Sequence, residues 1–149
     1  MGNVEHVQID LILLREFYFF EMVEGGFTYR IKPALIDGFV LAVPQATRET
    51  YRQVAQKAAA VFKEHGALKV VECWGDDVPE GKVTSFTMAV KRKDDEAVVF
   101  SWILWPSREK RDTGMKAAMA DPRLKEGMDP MPFDGQRMIF GGFEVIVDE

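Results

Sequence analysis

Residues 64–78 contain a helix end, a strand and a group of polar side chains, and this succession constrains the fold more than any other stretch. The amphipathic pattern of residues 48–64 predicts a helix that ends at Gly66, because glycine commonly follows the last helical turn. The apolar run at residues 68–74 predicts a strand. Glu72 therefore lies near one end of a strand, in the sheet that this helix covers.

The rest of the chain after residue 35 also alternates between strands and helices. A second helix is predicted to begin at its N-cap Ser107 and to end before Pro122. Its core-facing side chains are predicted to be Met115, Ala118 and Met119. In the last strand, Gly141 and Gly142 predict either a β-bulge or a close approach of another group to the backbone. The further strands are predicted at residues 36–44, 83–91, 97–105 and 138–147.

This order of elements predicts an α+β fold of the ferredoxin-like, split βαβ type, in which two helices cover one face of an antiparallel sheet. We assign residues 36–149 to this domain and residues 1–35 to an N-terminal extension. The apolar residues of the extension follow neither a period of 3.6 nor a period of 2. It is either an added helix or strand docked on the core or an extension that folds poorly.

The second face of the sheet also needs a cover. Residues 39–43 and 98–105 are apolar at both odd and even positions, whereas a sheet wet on one side should alternate apolar and polar residues. We predict that the same face of a second copy covers it, which gives a homodimer joined through its sheet faces. The rival cover is the N-terminal extension.

Composition argues against several classes of partner. The chain of 149 residues has a net charge of -5 and a pI near 5.1, which disfavours binding to nucleic acid. Charged residues interrupt the apolar stretch near the N-terminus, so no membrane span is expected. One cysteine, Cys73, and two histidines predict no internal disulfide, no metal site and no cofactor, in a reducing, cytoplasmic environment.

Seven segments of the chain carry a resemblance to a known family. They are DGFVLAVP at residues 37–44, FKEHGA at 62–67, VVECWGDDVP at 70–79, VFSW at 99–102, WPS at 105–107, MPFDG at 131–135 and MIFGGF at 138–143. Together they resemble the YbaA-like bacterial family, a domain of unknown function, over about residues 36–146. That family is similar in fold to the dimeric α/β barrel superfamily, which includes cofactor-free monooxygenases. The resemblance implies a fold and a dimer but no particular chemistry, and the extension departs from it.

Two residues are candidates for proton transfer. Glu72 is a carboxylate among apolar strand neighbours, so it either faces a polar cavity with a raised pKa or projects from a strand end into water. His65 carries an imidazole that titrates near neutral pH, although a histidine at a helix C-terminus is also favoured by the helix dipole. Asp76 and Asp77 beside Pro79 are typical of a turn rather than of a metal site.

Four further residues are candidates for ligand binding, and in each case a structural role is the alternative. Aromatic side chains can form the walls of a pocket, and Arg137 can anchor a carboxylate. Trp102 and Trp105 have opposite parity, so they face opposite sides of the sheet. The aromatic candidates are Trp74, Phe100 and Trp102.

Two classes of function fit these residues better than a third, association with RNA, which is the least favoured. One is a small-molecule binder or a cofactor-independent enzyme with a pocket between helices and sheet. The other is a non-catalytic dimer that binds another protein. The sequence names no ligand and no reaction.

Overall fold

The structure is a computed structural model that describes residues 18–23, 26–31 and 33–149. The chain divides into two compact units, Met1–Lys32 and Pro33–Glu149. In the first unit, strands β1 (Tyr18–Val23) and β2 (Gly26–Ile31) pair in antiparallel fashion. The predictions for residues 1–17, 24–25 and 32 lie outside the described residues.

The second unit contains one four-stranded antiparallel sheet and four helices among its described residues, which confirms the predicted α+β class. Its elements are β3 (Leu35–Pro44), α1 (Arg48–Glu64), β4 (Lys69–Trp74), α2 (Phe86–Ala89), β5 (Glu96–Trp105), α3 (Arg108–Ala120), α4 (Pro122–Lys125) and β6 (Ile139–Glu144). The strand order across the sheet is β4-β5-β3-β6. Single 3-10 turns at Gln45–Thr47 and Gly135–Arg137 precede α1 and β6.

Both long helices match their sequence predictions. Helix α1 covers the predicted residues 48–64 and ends beside Gly66, whose φ of 108° is accessible to glycine but strained for other residues. Helix α3 begins after Ser107, whose Oγ accepts a hydrogen bond from the backbone N–H of Lys110 at 3.1 Å, so the predicted cap is confirmed. Of the residues predicted to face inward on α3, Ala118 is fully buried. Met119 is 60% exposed, so the prediction for Met119 is wrong.

The strand predicted at residues 83–91 is also wrong, because the chain forms the one-turn helix α2 there. Ser85 caps this helix by accepting a hydrogen bond from the backbone N–H of Met88 at 3.1 Å. Thr87 donates a hydrogen bond of 2.6 Å to Glu80, which ties the turn to the preceding loop. These local side-chain bonds stabilise a turn in a segment whose apolar residues alternate as in a strand.

The core lies between the sheet and the helices α1 and α3. Trp105 is fully buried on this face, and a side chain at Gly114 of α3 would clash with its ring, so the glycine permits close packing of helix and strand. The indole N–H of Trp105 donates a hydrogen bond of 2.9 Å to the buried carboxylate of Asp37. Burial raises the pKa of Asp37 more than the nearby Arg111 guanidinium lowers it.

The glycine pair in β6 marks a close approach and not a bulge. The pairing of β3 with β6 runs without interruption through Gly141 and Gly142. A Cβ atom on Gly142 would lie 2.3 Å from a guanidinium nitrogen of Arg111, so a larger residue would displace that side chain. Glycine is therefore needed here for space and not for an unusual backbone angle.

The opposite face of the sheet remains apolar and partly open. Its end near α2 is covered, since Val90 packs there against Val40, Ala42 and Val98. Elsewhere aromatic side chains remain accessible on this face, with Phe100 44% exposed and Phe143 61% exposed. The ring centroids of Phe100 and Trp102 lie 5.2 Å apart.

Candidate functional site

A cleft of about 530 Å³ lies between helix α1 and the edge strand β4. Its volume falls within the range of small-molecule sites. Ala55 and Ala59 on the sheet-facing side of α1 leave room for it, because larger side chains at these positions would fill the space. The cleft is lined by Arg48, Glu49, Tyr51, Arg52, Ala55, Gln56, Ala59, Val70, Glu72, Cys73, Trp74 and Val99.

A carboxylate and a phenol meet inside this cleft. The hydroxyl of Tyr51 on α1 donates a hydrogen bond of 2.7 Å to Oε2 of Glu72 on β4. Tyr51 is buried, with 8% of its surface exposed, whereas Glu72 remains open to solvent at the cleft. Glu72 is also paired across the sheet with the buried Ser101 of β5. The carboxylate is thus held by the helix on one side and lies opposite a strand hydroxyl on the other.

The surroundings shift the pKa of both groups in the same direction. Although Glu72 is partly accessible, partial desolvation of its carboxylate raises its pKa, against a smaller lowering by the hydrogen bond from Tyr51 and by the nearby Ser101 hydroxyl. Burial, followed by the adjacent Glu72 carboxylate, raises the pKa of Tyr51 well above its usual value. Tyr51 therefore remains a hydrogen-bond donor at neutral pH, and Glu72 takes up a proton more readily than an ordinary glutamate.

Aromatic and cationic groups form the end and the rim of the cleft. The rings of Tyr51 and Trp74 are 6.3 Å apart between centroids, and Arg48 places its guanidinium carbon 5.2 Å from the centre of a Trp74 ring. At the rim, Arg52 donates two hydrogen bonds, of 3.0 and 2.8 Å, to the carboxylate of Glu49. The cleft thus offers an apolar wall, a titratable interior and a positively charged entrance.

His65 does not line the cleft. It follows the last residue of α1, and its Nε2 lies 3.1 Å from Oδ2 of Asp121. Asp121 also binds Arg123, which in turn forms an ion pair with Glu64 at 2.6 Å. These contacts join the end of α1 to the junction of α3 and α4, which is a structural role.

Arg137 is also separate from the cleft. Its guanidinium forms paired hydrogen bonds with the buried carboxylate of Glu96, and its Nε donates a bond of 2.9 Å to Asp134. It further binds the backbone carbonyl of Lys91 at 2.9 Å. Because its donors are used in this way, Arg137 fastens two loops together rather than offering a free anion site.

The structure brings together two of the six candidates, Glu72 and Trp74. Phe100 and Trp102 lie on the opposite face of the sheet, because Ser101 between them is the residue that pairs with Glu72. Sequence reasoning did not identify Tyr51, Arg48 or Ser101 as site residues. A hydroxyl-bearing residue on the buried side of α1 and a serine within an apolar strand were the available signals.

The described part of the chain contains neither a cluster of three potential metal ligands nor a helix that is long and apolar enough to span a membrane. Residues 33–149 bring together no group of three histidine, cysteine, aspartate or glutamate side chains that could hold a metal ion. The longest helix within these residues, α1, has too many charged residues to cross a membrane, and no other helix there qualifies.

The chain is similar to proteins that are described as uncharacterized or of unknown function. Residues 34–135 match a family described as "Protein of unknown function (DUF1428)". The "Uncharacterized protein YbaA" of Escherichia coli strain K12 and that of Shigella flexneri are each 60% identical to it over 114 residues. These alignments cover 76% of this chain and 97% of each relative. About a quarter of this chain therefore has no counterpart in those relatives.

Proposed function

Because the chain belongs to the DUF1428 family of proteins of unknown function, its own cleft is the best guide to its activity, and we propose that it binds a small organic molecule between α1 and β4. In this proposal Glu72 is the group that exchanges a proton with the bound molecule. The observation that carries the proposal is the hydrogen bond of Tyr51 to Glu72 inside a cleft of about 530 Å³.

The chemistry of the pair supports acid–base function. A carboxylate with a raised pKa is a stronger base than a carboxylate with an ordinary pKa, and it is better matched to proton transfer near neutral pH. Tyr51 orients the carboxylate through one oxygen atom, Oε2. A glutamate held in this way can accept a proton from an O–H or acidic C–H group of a ligand and return it, and this step needs no cofactor.

We further propose that the domain is a ferredoxin-like sandwich that pairs with a second copy through its open sheet face. The strand order β4-β5-β3-β6, with α1 after the first strand and α3 after the third, supports the fold. The exposed rings of Phe100 and Phe143 support a covered face. Close relatives lack a counterpart to about a quarter of this chain, which favours a second copy over the N-terminal extension as the cover.

The same exposed aromatic residues also fit a second candidate function, a non-catalytic dimer that binds another protein. The two functions make different demands on the cleft, because a protein-binding dimer does not require Glu72 to be accessible. Loss of function after a change in the cleft favours the small-molecule proposal.

The test is a thermal-shift and native mass spectrometry screen of metabolites against the wild-type protein and Glu72→Gln. Glu109→Gln, an exposed glutamate in the first turn of α3, is the matched control. We expect at least one compound that stabilises the wild type and the control but not Glu72→Gln. Compounds that bind all three proteins equally, or a screen with no cleft-dependent binder, would refute the proposal.

A further inference from the structure

The charge distribution around the cleft identifies the class of molecule that it accepts. Of the two arginines that line it, Arg52 is neutralised by Glu49 through two hydrogen bonds. Arg48 forms no ion pair with any residue within 33–149, and its guanidinium lies against Trp74 instead. The entrance of the cleft thus carries one positive charge, on Arg48, that has no ion-pair partner within these residues, while the Glu72 carboxylate also lines the cleft.

The position of Arg48 leaves its donors available. The guanidinium carbon of Arg48 lies 5.2 Å from the centre of a Trp74 ring, and Arg48 donates no side-chain hydrogen bond to any residue within 33–149, so the protein does not use its N–H groups. A carboxylate can accept two of these N–H groups in the paired geometry that arginine favours. The contact with Trp74 also restrains the side chain, which lowers the entropy lost when an anion binds.

The interior of the cleft sets a second requirement. Its walls include the flat ring of Trp74 and the aliphatic Val70, and Ala55 on α1 leaves space between helix and sheet. The Tyr51–Glu72 pair lies about one helical turn from Arg48, because Arg48 and Tyr51 are three residues apart on α1, and it can bind a hydroxyl group as donor or acceptor. A molecule that satisfies all three regions has an anionic group, a planar apolar body and a hydroxyl group.

We infer that the ligand is a small planar hydroxy acid, such as a hydroxylated aromatic carboxylate, bound with its anionic group at Arg48 and its hydroxyl group at Glu72. This inference rests on the proposed function, because it assumes that the cleft between α1 and β4 is a binding site. It adds the charge of the ligand and its orientation.

The test compares three probes of similar shape by isothermal titration and by NMR shift mapping. They are 4-hydroxybenzoate, the neutral 4-hydroxybenzamide and the cationic 4-hydroxybenzylamine. We expect the anion to bind about tenfold more tightly than the amide, since hydrogen bonds to charged groups are the stronger ones. Its affinity should fall as salt is added. The shifts should map to Tyr51 and Trp74.

Two arginine variants show whether Arg48 is responsible. Arg48→Gln should weaken 4-hydroxybenzoate binding about tenfold and abolish the preference for the anion over the amide. Arg108→Gln is the matched control, because Arg108 is the exposed first residue of α3, as Arg48 is of α1. It should change the affinity less than twofold.

The outcomes separate this inference from the proposed function. If the amide or the amine binds in the cleft as tightly as the anion, the ligand class is wrong and the cleft remains a small-molecule site. The same conclusion follows if Arg48→Gln leaves the preference unchanged. If none of the probes binds at millimolar concentration, the ligand class is again wrong, and the metabolite screen with Glu72→Gln decides the proposed function independently.

Discussion

The ion pair between Glu96 and Arg137 should make a large and pH-dependent contribution to stability. The two side chains are 5% and 15% exposed, and Glu96 also accepts a hydrogen bond of 2.8 Å from the backbone N–H of Lys93. Arg137→Met removes the charge but keeps much of the side-chain volume. It leaves the Glu96 carboxylate buried without its main partner, which is the costly way to break such a pair.

The size of the effect follows from the titration of Glu96. The Arg137 hydrogen bonds, and then the Lys93 backbone, lower the pKa of Glu96 from 4.5 to about 2. Each pKa unit is worth about 1.4 kcal/mol, so the ionised carboxylate is stabilised in the folded state by roughly 3 kcal/mol. Most of this is lost without the guanidinium. We expect Arg137→Met to lower the free energy of unfolding at pH 7 by about 3 kcal/mol.

The sign of the pH dependence follows from the lowered pKa. The contribution of Glu96 is fully present above its unfolded pKa of 4.5 and is lost as the pH falls toward about 2. The difference in unfolding free energy between the wild type and Arg137→Met should therefore be constant near neutral pH. It should shrink between pH 4.5 and about 2.

Urea unfolding, followed by tryptophan fluorescence at several pH values, measures this difference. The matched control is Arg52→Met, because Arg52 pairs with Glu49 while their side chains are 61% and 66% exposed. An exposed pair of this kind contributes little, so the control should unfold at nearly the same urea concentration as the wild type. Equal effects of the two substitutions, or a difference for Arg137→Met that does not change with pH, would refute the reasoning.

Three further predictions concern the site and the assembly. Glu72→Gln should change the melting temperature little at acidic pH. As the pH rises above 4.5, the variant should gain stability relative to the wild type, because the raised pKa makes the ionised Glu72 of the wild type unfavourable in the folded state. Parallel pH profiles of the two proteins would contradict this. Light scattering at micromolar concentration should give a dimer, and Trp102→Glu on the open sheet face should give a folded monomer; a monomeric wild type would exclude the sheet-face dimer. Deletion of residues 1–33 should leave a folded dimer with a cooperative melting transition, whereas an insoluble product would assign the extension to the core.

The local pattern of the sequence determined most of the secondary structure. The helical period of residues 48–64 and the continuous apolar run at residues 97–105 led to α1 and β5 almost residue for residue. The period of 3.6 in α1 and the uninterrupted apolar run of β5 are both strong local signals. The segment at residues 83–91 was misread because its apolar residues alternate, while the caps and hydroxyl bonds that fold it into α2 depend on groups brought together by the turn itself.

Two residues of the site, Glu72 and Trp74, could be predicted from the local sequence pattern. Glu72 and Trp74 are two residues apart on one strand, so they share a face of any sheet that contains them. The alternation of side chains along β4 does not show which side chains of the neighbouring strand β5 lie on the same face of the sheet. The register decided it, because Ser101 lies opposite Glu72 and therefore places Phe100 and Trp102 on the other side.

Only the tertiary structure produced the Tyr51–Glu72 pair. Tyr51 is a buried position of the amphipathic helix α1, which fixes its direction but not the atom that it meets on β4. The rotation and the distance of a helix over a sheet are set by the side chains packed between them, and here the alanines of α1 hold the space open. Local periodicity carries no information about that distance. The contact that supports the proposed function is therefore a property of the assembled layers and not of either segment.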